Sequence, residues 1–574
     1  MKKYLLLAFS FLATIASAQF SNNPAVNAIV RDSAGIEEAV PICGLNPLFG
    51  KTFVSWFNQN GSGSYDFSMN AMDGNGNLLL SSSGFTVSNY PQNSAIYVYD
   101  TKVDHTNAMV TAFQDERSGQ LDVVAYRMDS AGNFMYGNAG VTLFDSAATG
   151  GIAPHLGILA ANDAVIAWIA QGSPKSWISF QRLTPSGSRV WSSVHRIIDS
   201  TNTVSYSRPQ IVPMKNEDFF LLYIRQSGSF FPPVSTMFMQ RYNSAGNAVW
   251  PSPVQISSKT IGFASYPSVV PDENNGAYIA FATSNPVVSS FNDVYVQHID
   301  ENGTLWSVDG TEACTSSTTQ RMSPTIRFEN GMIHPMVLIK ETDGAQGSAG
   351  VTVQSFDSTG NRLLGPNGFS VTPITAAYDE AYDMRSSGNG MIIIYAEGGF
   401  GNNQLFATKI DFTGAPMWTP ITLSVSTVAS NKLRVQLTPV FGISGSEQTI
   451  AVWEDERIGR GVYTQNINAD GTLGITTNIL NPFYNKTDIS IYPNPSASNQ
   501  FLRIVSDETE FILISLYDAT GRLLATSKNN ELLDGVNQFS LSTIFPNTKI
   551  IAGIYSVSIN GKNRSNRIQF VKQG

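Results

Sequence analysis

The chain has 574 residues, only 14% of them charged, with 47 glycines and a formal net charge of −9. That length leaves room for several domains or one large repeat array, and low charge with abundant Gly, Asn, Ser and Thr suits short strands and turns over long helices. The acidic balance argues against nucleic acid and anionic membrane as partners.

In chain order, Met1-Lys2-Lys3 is followed by an apolar run from Tyr4 to Ile15 and then Ala16-Ser17-Ala18. A basic start, an apolar centre and an A-x-A site predict a signal peptide over 1–18, cut before Gln19. The run is shorter than the ~20 apolar residues a bilayer span needs, and no other long apolar stretch occurs, so no membrane span is expected. Ile29-Val30-Arg31-Asp32-Ser33 then aligns with Thr142-Leu143-Phe144-Asp145-Ser146, which follows a complete repeat turn. This alignment predicts that the mature N-terminus supplies the outer strand of the last repeat.

From residue 73 onward a short turn recurs. It reads Asp73 to Gly76, Asp129 to Gly132, Thr184 to Gly187, Asn243 to Gly246, Asp300 to Gly303, Asp357 to Gly360, Asp411 to Gly414 and Asn468 to Gly471, with glycines 54–59 residues apart. A second landmark keeps the same period: an apolar strand ending near Trp56, Phe113, Trp168, Tyr223, Phe281, Ile339, Tyr395 and Trp453. Within each unit a Pro-led strand comes first, as at Pro209 and Pro267. The landmark strand, a third strand, the glycine turn and a fourth strand often bearing Trp follow. Four short strands in about 56 residues is a propeller blade. The prediction is all-β: an eight-bladed β-propeller of four-stranded blades over 19–480, a linker at 481–487 and a small β-sandwich over 488–574. Seven of the eight tryptophans fall at the two repeated positions. A ligand platform would not be copied into every unit, so they are expected to fill the space between blades.

Two loops depart from the repeat, Asp115-Glu116-Arg117 in blade 2 and Asp455-Glu456-Arg457 in blade 8. Both follow the landmark strand, on the face opposite the glycine turns. One reading is an acidic lip that binds a sugar or Ca²⁺, the one ion its hard oxygen ligands would suit. The other pairs Asp with Arg inside each loop to hold the corner. The five histidines form no metal-ligand spacing, and no nucleophile elbow, phosphate loop or Cys-x-x-Cys occurs, so no catalytic residue, metal site or cofactor is assigned. Cys43 and Cys314 fall in blades 1 and 5, opposite one another in a ring of eight, which predicts two free, buried, inert thiols.

The segment 488–574 breaks the period. It opens with Ile489-Ser-Ile then Tyr492-Pro493-Asn494-Pro495, continues with a strand ending in Asp518-Ala-Thr-Gly521-Arg522, and adds Gly553-Ile-Tyr555 and a basic terminal strand that includes Lys572. With these features in this order, it resembles the type A C-terminal sorting domain of the Bacteroidetes type IX secretion system. The resemblance implies engagement of that secretion machinery. It also implies passage through the periplasm and the outer membrane, and release or surface attachment. For the propeller, the expectation is a non-enzymatic binding or adhesion module for a polysaccharide or surface protein. The alternative is a secreted carbohydrate-active hydrolase or lyase that uses carboxylates of the loop face.

Overall fold

The structure is a computed structural model that describes residues 20–475 and 489–573, apart from 62, 93–97, 229–232, 263–264, 285–291, 330, 400, 443–445, 493, 497–498, 507–509, 520–521, 534, 547 and 562–564. The predicted signal peptide, the predicted linker, Pro493 and Gly521 lie outside the described residues. The chain divides into two units, Met1–Phe441 with Glu447–Ile475, and Gly442–Ser446 with Thr476–Gly574.

The larger unit is a β-propeller of eight four-stranded antiparallel sheets. Seven blades are consecutive in sequence, at 38–88, 100–143, 150–197, 205–255, 268–312, 319–375 and 380–430. The eighth takes three strands from 432–468 and its outermost from Ala28–Arg31, which pairs antiparallel with Gly461–Asn468. The N-terminal segment therefore closes the ring, as the alignment with blade 2 predicts. Closure this way leaves only the short strand Ala28–Arg31 at the outer edge of that sheet.

All eight turn glycines have positive φ, between 82° and 95°, and each donates its N–H to the carbonyl three residues back at 2.9–3.1 Å. Glycine is required twice over, because the preceding blade also presses a side chain, usually aromatic, on each turn. A Cβ would meet Trp306 at 2.8 Å if added to Gly360, and Trp418 at 2.9 Å if added to Gly471. The same tryptophans tie blade to blade. The indole N–H of Trp191, Trp250, Trp306 and Trp418 donates to Ser244, Glu301, Ser358 and Ala469 at 3.2, 3.1, 2.9 and 2.9 Å. Each acceptor is the second residue of the next blade's turn.

Three sequence expectations need adjustment. The repeated tryptophans lie in the bend before the outer strand and not on it, since the outer strands are His195–Ile197, Val254–Gln255 and Thr311–Glu312. The prolines at 41, 154, 209 and 324 lie inside the inner strands and do not lead them. The cysteines are free, but Cys43 is only half-buried while Cys314 is buried. Burial lifts both thiols to about 12, which leaves no thiolate for reaction at neutral pH.

The smaller unit sandwiches a three-stranded sheet (Ile489–Tyr492, Phe501–Ser506, Gly535–Ser540) against a four-stranded one (Leu523–Leu532, Glu510–Asp518, Gly553–Asn560, Ser565–Lys572). Leu502 and Ile504 of the first share a core with Ile514, Val557 and Phe570 of the second.

Candidate functional site

The inner strands of blades 1, 3, 4, 6 and 8 carry the same defect. Val40, Ala153, Arg208, Ser323 and Arg434 have φ between 50° and 57°. At each, two residues oppose one on the neighbouring strand, so a β-bulge interrupts the ladder. The residue opposite is the sequence landmark: Trp56, Trp168, Tyr223, Ile339 or Trp453. Positive φ outside glycine costs of order 1 kcal/mol or more and persists only where the surroundings impose it. Bulges re-aim side chains, and here they do so along the innermost strands.

Two cavities open among these strands, at the end of the propeller that carries the irregular loops. The larger, about 550 Å³, lies between blades 5, 6 and 7, with Tyr266, Asn292, Ser323, Thr325 and Tyr382 in its wall. The smaller, about 200 Å³, runs past blades 2, 3 and 4 to Tyr266, with Asp100, His155 and Arg208 in its wall. Tyr266 is shared by both and is 52% exposed. Its ring lies 4.6 Å from the Arg208 guanidinium carbon. His155 Nδ1 accepts the Ile211 N–H at 3.1 Å, which places the proton of the neutral ring on Nε2. Burial drives this imidazole down to about 4, against the opposing pull of Asp100.

The sequence-predicted lip residues are brought to the same face, but their charges are largely spent within each loop. In blade 2, Arg117 clamps Asp115 with two bonds of 2.8 Å and stacks 4.8 Å from the centre of the Tyr90 ring. In blade 8, Asp455 accepts from Arg457 at 2.6 Å, Trp453 Nε1 at 2.8 Å and Ser430 Oγ at 2.6 Å, with Lys432 Nζ 3.6 Å away. Burial would raise the Asp455 carboxyl, but these partners hold it below its usual range. Lys432, fully buried, is brought down to about 8 by desolvation, which Asp455 only partly offsets. Glu116 is half-buried and Glu456 exposed, the latter accepting from Asn431 Nδ2 at 3.0 Å. Among the described residues, no three His, Cys, Asp or Glu side chains converge as a metal site would require.

In the smaller unit the two ends of the segment meet. Asn494 Oδ1 accepts the Val571 N–H at 2.8 Å, and Ser496 bridges to Lys572 beside it. Asp518 Oδ1 accepts the Arg522 N–H at 3.0 Å, closing the hairpin that precedes Leu523–Leu532. Gly553 opens the strand in which Tyr555 stacks on Phe570, 5.6 Å between ring centres. Tyr492 and Pro495 complete the quoted motif at its exposed edge. Residues 490–573 match the family described as secretion system C-terminal sorting domain. This segment is a type IX sorting domain. The sorting domain directs the chain across the outer membrane, to the cell surface or beyond. No described helix is long and apolar enough to cross a membrane.

No curated protein matches the chain. Among solved structures it is similar to an ulvan lyase of polysaccharide lyase family PL25, at TM-score 0.41 and 12% identity, over 79% of this chain and 97% of that one. A GH43 endo-arabinanase from Bacillus licheniformis aligns at TM-score 0.26 and 12% identity, over 48% of this chain and 99% of that one. The GH32 β-fructofuranosidase of Bombyx mori aligns at 0.28 and 11%, over 65% and 87%. No residue role passes from these proteins to the cavities described here.

The sequence landmarks point away from Tyr266, Ser323 and Tyr382. The signal that could have found Tyr266 and Ser323 is the residue just before a proline in or next to the inner strand, at Val40, Ala153, Arg208, Tyr266 and Ser323; Tyr382, which precedes Asp383, carries no such signal. Four of these five carry the left-handed conformation of the bulge.

Proposed function

We propose that the propeller is a non-enzymatic binding or adhesion module for a polysaccharide, displayed outside the cell by the sorting domain. The observation that supports this reading is the pair of loop-face cavities meeting at an exposed tyrosine, with polar side chains converging from separate blades. The larger cavity, about 550 Å³, falls within the about 300–1,000 Å³ typical of concave ligand sites with a few placed polar groups. Glu116 and Glu456 stand on the same loop face, outside the walls of both cavities, with Asp115–Arg117 and Asp455–Arg457 paired inside their own loops. The test is to incubate the secreted, full-length mature protein with a panel of polysaccharides, measuring retention and new chain ends together. Retention without new ends is expected. Turnover abolished by Glu116→Gln or Glu456→Gln would replace this reading with that of a hydrolase or lyase. Removal of residues 488–574 strands the protein in the periplasm, and undiminished export would contradict the assignment of the sorting signal.

A further inference from the structure

The two cavities share Tyr266 but differ in charge. The smaller contains Asp100, His155 and Arg208. The wall of the larger, among the described residues, contains no Asp, Glu, Lys, Arg or His. We infer that the larger cavity takes a neutral glycan, a short run of uncharged sugars lacking carboxylate or sulfate groups. This rests on the polysaccharide reading above and narrows it.

A carboxylate or sulfate leaving water for this cavity would need a counter-charge or several converging N–H donors. Cations do lie nearby, but they are committed: Arg208, 4.6 Å from the Tyr266 ring, donates to the Ser265 carbonyl of this wall. Arg321 pairs with Asp293 at 2.8 Å, and Arg327 pairs with Asp383. The wall offers the Ser323 and Thr325 hydroxyls and the Asn292 amide, groups that both donate and accept, as sugar hydroxyls do. It also offers two aromatic rings, whose flat apolar faces suit the C–H face of a pyranose. Tyr382 donates its hydroxyl to the Lys432 carbonyl at 2.7 Å, so the bond fixes the ring and leaves the ring itself as the contact. The bulge at Ser323 brings that serine into the wall.

The experiment uses the full-length mature protein, titrated with neutral glucan, mannan and xylan oligosaccharides and with uronate-bearing and sulfated oligosaccharides of equal length. A neutral ligand is expected to bind with an affinity that changes less than about twofold as salt is raised, because no charge pair is there to screen. Tyr266→Ala weakens binding at least about tenfold and Tyr266→Phe restores it, since the ring and not the hydroxyl is the contact. The ring is half-exposed, so the fold tolerates both changes, and an unchanged melting temperature confirms it. Binding confined to the charged oligosaccharides and falling steeply with salt would overturn this inference while leaving the polysaccharide reading standing. Neutral binding indifferent to both Tyr266→Ala and Asn292→Ala would overturn the cavity as its seat. Failure to bind any glycan would overturn the polysaccharide reading itself.

Discussion

The propeller closes on itself at one seam, and that seam differs from the regular junctions between blades. At the junctions from blade 3 to 6 and from 7 to 8, one residue both packs on the next turn glycine and satisfies the carbonyl beside it: a tryptophan. At the seam from blade 8 to blade 1 the two jobs are split. Phe20 supplies the ring, which a Cβ on Gly76 would meet at 3.0 Å, and its own backbone N–H bonds to the Asn75 carbonyl at 3.0 Å. The Gly74 carbonyl is taken by Gln448 Nε2 at 2.8 Å. The seam thus reproduces the geometry of the repeat with residues far apart in sequence. At these five junctions the shared feature is the geometry and not the tryptophan.

Deletion of residues 19–31 removes the seam outright. Loss of the outer strand of blade 8 together with Phe20 is expected to lower the melting temperature by more than about 10 °C. An unchanged midpoint would mean that the seam does not hold the ring. Single truncations at a regular junction and at the seam have the next largest effect. Trp250→Ala at a regular junction and Phe20→Ala at the seam each cost about 3–5 kcal/mol in denaturant titrations, as large buried rings do. A seam value near zero would show that closure depends on the strand and not on the ring.

Trp250→Phe keeps an aromatic ring but removes the indole N–H and part of the buried ring system, at an expected cost of about 1–2 kcal/mol, below that of Trp250→Ala. The Glu301 carbonyl still receives Arg241 at 2.9 Å, which limits the loss. The smallest effect is a pH dependence particular to the seam. Glu38 is fully buried beside Arg31, 3.3 Å away, and burial raises its carboxyl above 4.5 despite hydrogen bonds from Ser33 and the Arg31 charge. In the window above 4.5 the folded state therefore holds a proton that the unfolded state has lost, so stability falls as pH rises through that window. Glu38→Gln is expected to flatten this slope, and an identical slope in the variant would assign it to another group.

Much of this architecture is legible in the residues. The turn glycines are local: a four-residue turn needing positive φ at its end declares itself wherever it occurs, and repetition makes the period. The closing strand is legible for the same reason, because Ile29 to Ser33 repeats a pattern found after another turn. The Asp–Arg loops are legible as residues but not as a role. Whether Asp455 faces solvent or Arg457 depends on Ser430, Lys432 and Trp453, which only packing assembles. The inner-strand bulges are hidden more deeply. A proline after a left-handed residue looks, in sequence, like a proline that starts a strand.

The sequence by itself determined the number of blades, the turn that builds each one, the clasp that closes the ring and the signal that exports the chain. All are short patterns in which the deciding residues are neighbours or exact repeats. Only the tertiary structure decided where a ligand can be received. Tyr266, Ser323 and Tyr382 belong to successive blades, and nothing in their local sequence sets them facing one cavity. The ring brings them together, because closure turns residues a blade apart in the chain into neighbours around a common axis.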